Sequence, residues 1–398
     1  NSSPPPLGGS TPVMNMLYMY SGKSRRSALA AALREIIKKY GAKVVVHEVD
    51  LNQMGANEAS RKQKQLRWLE RVRAGVYLVE GGMEYDGRLL MPLDEAAIAR
   101  AARQMRAEGV TAVAVCAVFS PLSDELERRA SEIIRNEHPD ARVTLSAQIG
   151  RIGILERENA TLLNAALLDL AEHTAAAFEH ARASSGLSAN IYITQNDGTV
   201  APVDRARRFP VFSFASGPTN SMRGAAFLAG LGEAMVCDVG GTTTDVGCLS
   251  QGFPREANNV IDIGGVRTNF RMPDVLSIGL GGGTRVHTRA SPVEIGPDSV
   301  GHRLTELARV FGGGTLTCTD IAVAGGRAEI GDVSAVAHID PTLRDAVLGR
   351  IESMIDEAVD RMKTEAGALP LLAVGGGAML VPDSLPGISE VIRVPHHD

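Results

Sequence analysis

The residues best suited to chemistry lie at 235–249, MVCDVGGTTTDVGCL. Two aspartates, Asp238 and Asp245, flank a glycine pair, Gly240 and Gly241, and three threonines, Thr242, Thr243 and Thr244. A glycine pair lets the backbone approach a ligand because no Cβ stands in the way. Successive amide N–H groups in such a turn form a concave seat for an anion. The threonine hydroxyls add hydrogen bonds, and the carboxylates suit a hydrated magnesium ion. The pattern fits phosphate binding beside a metal, with Asp238 on the metal side. An ordinary hairpin explains the same letters, because Gly-Gly is a common turn and threonine favours strands. Taken alone, the two readings weigh about equally, since short motifs often match by chance.

Other stretches bear on that choice. The apolar run 371–374 leads into Gly375, Gly376 and Gly377. Gly281, Gly282 and Gly283 follow another apolar segment; they either bring amides to a second phosphate or form a flexible bend. Residues 214–230, FASGPTNSMRGAAFLAG, predict a small-residue helix starting near Ser216 and able to pack closely through Gly224, Ala225, Ala226 and Ala229. Asp197 sits in QNDGT, directly after an apolar strand at 190–194. Ligands in α/β sheets bind at such strand ends, so Asp197 is a candidate acid/base or metal-side residue. Its turn-forming composition alone accounts for it equally well. Gly22-Lys23-Ser24 resembles the end of a P-loop, but Leu17 stands where the first glycine is required.

These residues need elements to position them. Strands are expected at 13–20, 43–49, 76–79, 110–118 and 142–146, with helices at 27–40, from Asp94 to Gly109, and from Ser120-Pro121 towards His138. A long helix spans 153–183, and its polar start, Glu156 to Asn159, predicts surface ion pairs first and cleft residues second. Asp298 or Ser299 caps a following helix, Thr319 caps another, and a long helix covers 341–363. The basic stretch 61–73, with the only tryptophan, Trp68, predicts a solvated helix face. Strands alternating with helices point to mostly parallel sheets covered on both faces.

The bounds agree with a globular α/β protein. At 398 residues the chain is long enough for two or three domains. A net charge of −5 argues against a nucleic-acid surface as the main function. The four cysteines show no CxxC spacing, so neither a metal site nor a disulfide framework is indicated, and a reducing, cytoplasmic setting is expected. The longest apolar run, 110–119, is too short to cross a bilayer. Residues 1–12 are polar and proline-rich, unlike a signal peptide.

From about residue 76 onward the chain resembles the hydantoinase A/oxoprolinase family, within the actin-like ATPase superfamily. The resemblance rests on GGMEYDGRLLMPLDE (81–95), LSAQIGRIGILERENATLLNA (145–165), YITQNDGT (192–199), FASGPTNSMRGAAFL (214–228), DVGGTTTDVG (238–247), GVRTNFRMPDVLSIGLGGG (265–283), GPDSVG (296–301), LTCTDIAVA (316–324) and VGGG (374–377), all in order. It implies actin-like (ribonuclease H-like) lobes with mixed, mostly parallel sheets flanked by helices, the first lobe incomplete. The implied boundaries are a non-family segment at 1–75, a partial first lobe at 76–213 and a second lobe at 214–398.

The implied activity is ATP-dependent opening of a cyclic amide such as a hydantoin or 5-oxoproline, with a hydantoinase B-like second subunit. ATP and Mg2+ are the implied cofactors. Residues 240–244 would hold the phosphates, Asp238 and Asp245 the magnesium, and Gly375 to Gly377 would face the adenosine. The family opens with its own first DVGGT-like loop, whereas this sequence has one DVGGT, at 238. That departure predicts a fragment, a fusion or a degenerate paralogue, with weak or absent ATPase turnover. A non-catalytic nucleotide-binding or scaffold subunit and an acetone-carboxylase-like subunit are the alternatives.

Overall fold

The apolar run expected near 110–118 forms a fully buried strand, β3 (Ala112–Ala117), because side chains on both of its faces pack against helices. In the computed structural model, which describes residues 14–20, 75–257, 261–263, 266–288, 293–364 and 367–394, this strand lies inside a parallel sheet. Its neighbours are β1 (Met14–Tyr20) on one side and β4 (Arg142–Leu145) on the other, while β2 (Val76–Glu80) pairs with the far edge of β1. The expected strand at 13–20 is thus present. The helix at 27–40, the strand at 43–49, Gly22-Lys23-Ser24 and the basic stretch with Trp68 lie outside the described residues.

Three helices accompany that sheet: α1 (Glu95–Ala107), α2 (Glu125–Glu137) and α3 (Ile154–Ser184). Asp94 caps α1 by accepting from the Ala97 amide at 2.8 Å, as its position predicts. α2 begins at Glu125 instead of Ser120, because 118–123 form turns after the strand. The start of α3 corrects the surface reading: Arg157, Glu158 and Asn159 are buried, while Glu156 makes an ion pair with the exposed Arg267 at 3.6 Å.

The second sheet is mixed. β5 (Ala234–Val239) and β6 (Thr244–Ser250) form the glycine-threonine hairpin, and β7 (Val275–Ile278) pairs antiparallel with β6. β8 (Leu369–Val374) runs parallel to β5, and β9 (Ile388–Arg393) parallel to β8. Strand alternation divides the two faces. Met235, Cys237 and Val239 join the larger core with α5 (Cys318–Ala324) and α6 (Pro341–Met362). Ala234 and Val236 face α4 (Ser216–Ala229), which contributes Met222, Ala225 and Ala226. Each aliphatic side chain fully buried in these cores stabilises the fold by about 1.5–3 kcal/mol. Met222 of α4 packs directly over Gly247, where a Cβ would stand 2.8 Å from its Cε and 3.2 Å from Asp274 O.

Two capping expectations change. Glu294–Ser299 is a strand, so Asp298 and Ser299 cap no helix; Asp298 pairs with His287 at 2.7 Å. Thr317, not Thr319, caps α5, through a capping box with Asp320. By its internal contacts the chain divides into two compact units. One lies within Asn1–Ile193, Val200–Phe214 and Asn258–Arg271, the other within Thr194–Thr199, Ala215–Ala257 and Met272–Asp398. No helix among the described residues is long and apolar enough to cross a membrane.

Candidate functional site

Three glycine turns, far apart in sequence, meet at the end of β5 in the second unit. The first is the β5–β6 turn, closed by Gly240 N donating to Thr243 O at 2.9 Å. The second, 281–283, braces the first: Gly282 N donates to Gly240 O at 2.9 Å, and Gly283 N to Gly241 O at 2.7 Å. The third is tied on by Gly377 N, which donates to Val239 O at 2.8 Å. Such approaches need glycine. A Cβ on Gly281 would stand 2.6 Å from Thr242 N, and one on Gly375 2.5 Å from Val239 O. Gly375 also has a φ of +85°, a conformation that L side chains rarely adopt.

The paired aspartates stand where the sequence places them. Asp238 and Asp245 are directly opposite in the antiparallel ladder, so their side chains share one face of the sheet. Asp238 also neighbours Val374 in β8, and its Oδ1 lies in the space that a Gly375 Cβ would fill. Asp245 accepts a hydrogen bond from Ser277 Oγ on β7. Burial pushes the Asp245 carboxyl above the usual carboxylate range; the Ser277 hydrogen bond opposes that shift and the Asp238 charge adds to it.

The threonines divide into two kinds. Thr244 is buried and donates to Leu280 O at 2.7 Å, so it holds the second glycine turn. Thr242 and Thr243 are exposed at the tip. Among the described residues, no hydrogen bond engages their hydroxyls or the amides of Gly241, Thr242 and Thr243. Those amides and hydroxyls form a concentrated set of donors, the arrangement that receives an anion. Gly281, Gly282 and Gly283 play another part. They are buried, and the amides of Gly282 and Gly283 are already committed to the hairpin, so they support the tip instead of facing a second phosphate.

Asp197 is occupied elsewhere. Its Oδ1 accepts from Thr199 N at 3.0 Å and from Thr199 Oγ1 at 2.6 Å, closing its own turn. That turn is fastened to the start of α4, where Ala215 N donates to Asn196 Oδ1 at 2.8 Å. None of these bonds brings Asp197 to the paired aspartates. Sequence reasoning missed Ser277; a lone serine in the apolar stretch VLSI was the available signal, and its register with Asp245 emerges only from the strand pairing.

A cation and a nucleotide can be tested against these residues. Among the described residues, no group of three or more His, Cys, Asp or Glu side chains is placed to hold a metal. Two paired carboxylates beside a turn with unengaged amides have the chemistry that Mg2+ takes, since it keeps several waters and binds one or two carboxylates plus phosphate oxygens. The cradle of glycines with unused amides fits the phosphates themselves.

A first unit with parallel strands between helices, and a second whose mixed sheet carries the glycine-threonine hairpin, define an α/β fold of the actin-like ATPase type. Two solved structures share it: nucleotide-free acetone carboxylase, with TM-score 0.61 and 20% identity over 94% of this chain and 59% of that one, and the ATP-dependent caprolactamase of Pseudomonas jessenii, with TM-score 0.62 and 22% identity over 92% and 54%. The chain belongs to the hydantoinase/oxoprolinase family. The family model matches residues 157–334, and the model of the family's N-terminal region matches 23–138. This second match corrects the expectation that 1–75 lies wholly outside the family pattern, and β1 stands within the first unit's sheet.

Among curated proteins, the chain is 28% identical to caprolactamase subunit alpha of Pseudomonas jessenii over 70% of its length. It is 26% identical to the acetophenone carboxylase gamma subunit of Aromatoleum aromaticum over 61%, and 24% identical to the acetone carboxylase beta subunit of Xanthobacter autotrophicus over 59%. It spans only 34–40% of the length of these relatives.

Proposed function

We propose that this chain supplies the nucleotide-phosphate seat of an ATP-dependent enzyme that activates a cyclic amide for ring opening. The convergence of the turns 281–283 and 375–377 on the Gly240–Gly241 hairpin, between the paired Asp238 and Asp245, carries this reading. An amide is a poor electrophile because resonance stabilises its carbonyl. Transfer of the γ-phosphoryl group of ATP to the amide oxygen, with ADP leaving, removes that resonance; water then adds to the carbon, and loss of phosphate and cleavage of the C–N bond open the ring to an amino acid. Such a reaction asks the protein mainly for positioning and charge neutralisation. The unused amides of 241–243 and the hydroxyls of Thr242 and Thr243 would bind phosphate oxygens. Asp238 and Asp245 would hold Mg2+, which neutralises phosphate charge. Gly375 to Gly377 would lie against the adenosine. Asp197 would act indirectly, by fixing the turn at the start of α4.

The subunit names of the relatives support a partner chain, and a hydantoinase B-like subunit is the one proposed. Similarity to the acetophenone and acetone carboxylase subunits favours a second reading, in which the activated substrate is a ketone. Calorimetry with ATP and Mg2+ tests the shared core of both. The wild type should bind, and Asp238→Ala should bind at least about tenfold more weakly, the loss of about 1.4 kcal/mol. Equal binding by the two proteins would refute the site. Phosphate release with 5-oxoproline, hydantoin, caprolactam, acetone or acetophenone, with the partner present, then decides between amide and ketone.

A further inference from the structure

Ser277, Asp245 and Asp238 stand in one transverse row. Ser277 is opposite Asp245 in the β7–β6 ladder, and Asp245 is opposite Asp238 in the β6–β5 ladder. Side chains at paired positions share a face of the sheet, so the three polar groups lie side by side across three strands. β7 and β5 flank β6 on opposite edges, so the Ser277 hydroxyl reaches Asp245 from the side away from Asp238. At the other end of the row, Asp238 abuts Gly375, which has no side chain to displace it.

Two adjacent carboxylates repel each other and would turn apart without a constraint. A hydroxyl donor on one oxygen of Asp245 fixes that carboxylate's orientation and leaves its second oxygen for another partner. Ser277 is itself exposed, so its hydroxyl has no burial penalty of its own to relieve. A β-branched apolar residue would suit the strand better.

We propose that Ser277 is a positioning residue for the divalent cation: by holding one oxygen of Asp245, it presents the other alongside Asp238, so that both carboxylates engage one cation. This deepens the reading of the hairpin as a metal-nucleotide site and rests on it. Ser277 acts through Asp245, so its effect should be confined to steps that need the cation.

The test uses the full chain with ADP and Mn2+ as probes. Mn2+ binding is followed by electron paramagnetic resonance, and ADP binding by calorimetry with and without EDTA. Ser277→Ala should weaken Mn2+ binding in the ADP complex about tenfold, while ADP affinity in EDTA stays within about twofold. Ser277→Thr should restore the wild-type value, because it keeps the hydroxyl. All three proteins should unfold in one cooperative transition, and Ser277→Ala should keep the wild-type ADP affinity in EDTA, which separates positioning from folding. If the wild type binds Mn2+ with ADP and Ser277→Ala binds it equally well, the positioning role is overturned and the site reading stands. If the wild type binds no nucleotide with or without the cation, the site reading fails and takes the positioning role with it.

Discussion

The amide of Gly377 lies 2.8 Å from the carbonyl of Val239, and this bond fastens the last glycine turn to the strand end that carries Asp238. The two neighbouring glycines in that turn are not equivalent. A Cβ on Gly375 would meet Asp238 Oδ1 and Val239 O, and its φ of +85° disfavours any side chain. A Cβ on Gly376 would meet nothing within 4 Å. Gly375→Ala should therefore destabilise the fold by about 1–3 kcal/mol and displace Asp238, weakening Mg2+-nucleotide binding at least about tenfold. Gly376→Ala should leave stability within about 0.5 kcal/mol of wild type. Denaturant unfolding and calorimetry on both variants check this. Equal behaviour would show that the steric argument at Gly375 is wrong.

The three threonines make a second contrast. Thr244→Val removes a buried donor from Leu280 O and should cost about 1–2 kcal/mol of stability, because that carbonyl is left unpaired. Thr242→Ala and Thr243→Ala touch exposed hydroxyls without described partners, so stability should stay within about 0.5 kcal/mol. Nucleotide affinity should fall in these two variants by about fivefold or more, the loss of one hydrogen bond to phosphate. A stability loss for Thr242→Ala, or unchanged nucleotide affinity for both, would contradict the division of labour.

How far the sequence discloses this site follows from what kind of information each part needs. The hairpin was legible because its chemistry is local: apolar run, aspartate, glycine pair and threonines lie within one stretch. The helix cap at Asp94 and the long helix after Gly153 were legible for the same reason. What pairing alone decides was not. That Gly282 and Gly283 spend their amides on the hairpin depends on β7 returning beside β6, a non-local event. The polar start of α3 looked solvated by composition, yet Arg157 is held inside by Ser146 Oγ at 3.0 Å and Val118 O at 2.8 Å. The caps at 298–299 and 319 failed for a simpler reason. Asp, Ser and Thr serve strands, turns and caps alike, and only the surrounding pairing selects among them.

The buried carboxylate of Glu127 gives a pH prediction. It accepts from Ala117 N at 2.8 Å, Ser146 Oγ at 2.5 Å and Ala147 N at 3.0 Å. Burial still pushes its carboxyl above the usual value of 4.5, with these bonds opposing the shift. A carboxyl raised in the folded state binds its proton more tightly than in the unfolded chain. Its stabilising contribution is therefore complete below 4.5 and is lost as pH rises through the raised value. Glu127→Gln should be about 1–3 kcal/mol less stable, since the Ala147 amide then faces a donor. Its stability should also lack the downward slope with pH that Glu127 gives the wild type above 4.5. Denaturant unfolding from pH 4.5 to 7 measures both. Parallel curves for the two proteins would mean that Glu127 titrates alike in the folded and unfolded chain.

Asn269 and Gly150 should be energetically coupled. Asn269 is buried in the first unit, and its Nδ2 donates to Arg151 O at 3.0 Å and Gly153 O at 3.2 Å, just before α3 begins. Its Oδ1 has no hydrogen-bond partner among the described residues and lies against Gly150, where a Cβ would overlap it. Gly150→Ala should cost about 1–3 kcal/mol, because a methyl group is forced into filled space. Asn269→Ala should cost about 1 kcal/mol by removing its two donated hydrogen bonds, since Arg157 still donates to both carbonyls, through Nη1 to Arg151 O at 3.1 Å and through its amide to Gly153 O at 3.0 Å. The double variant should lose less than the sum, with a coupling of about 0.5–3 kcal/mol, because removing the amide vacates the volume that the new methyl needs. Part of the Gly150→Ala penalty should persist even then, since the same Cβ would stand 2.9 Å from Arg157 Cγ, and Arg157 is fixed in place by its own hydrogen bonds. Unfolding free energies of the four proteins give the coupling directly. Strict additivity would place the cost of Gly150→Ala on Arg157 alone and deny that Asn269 holds this loop.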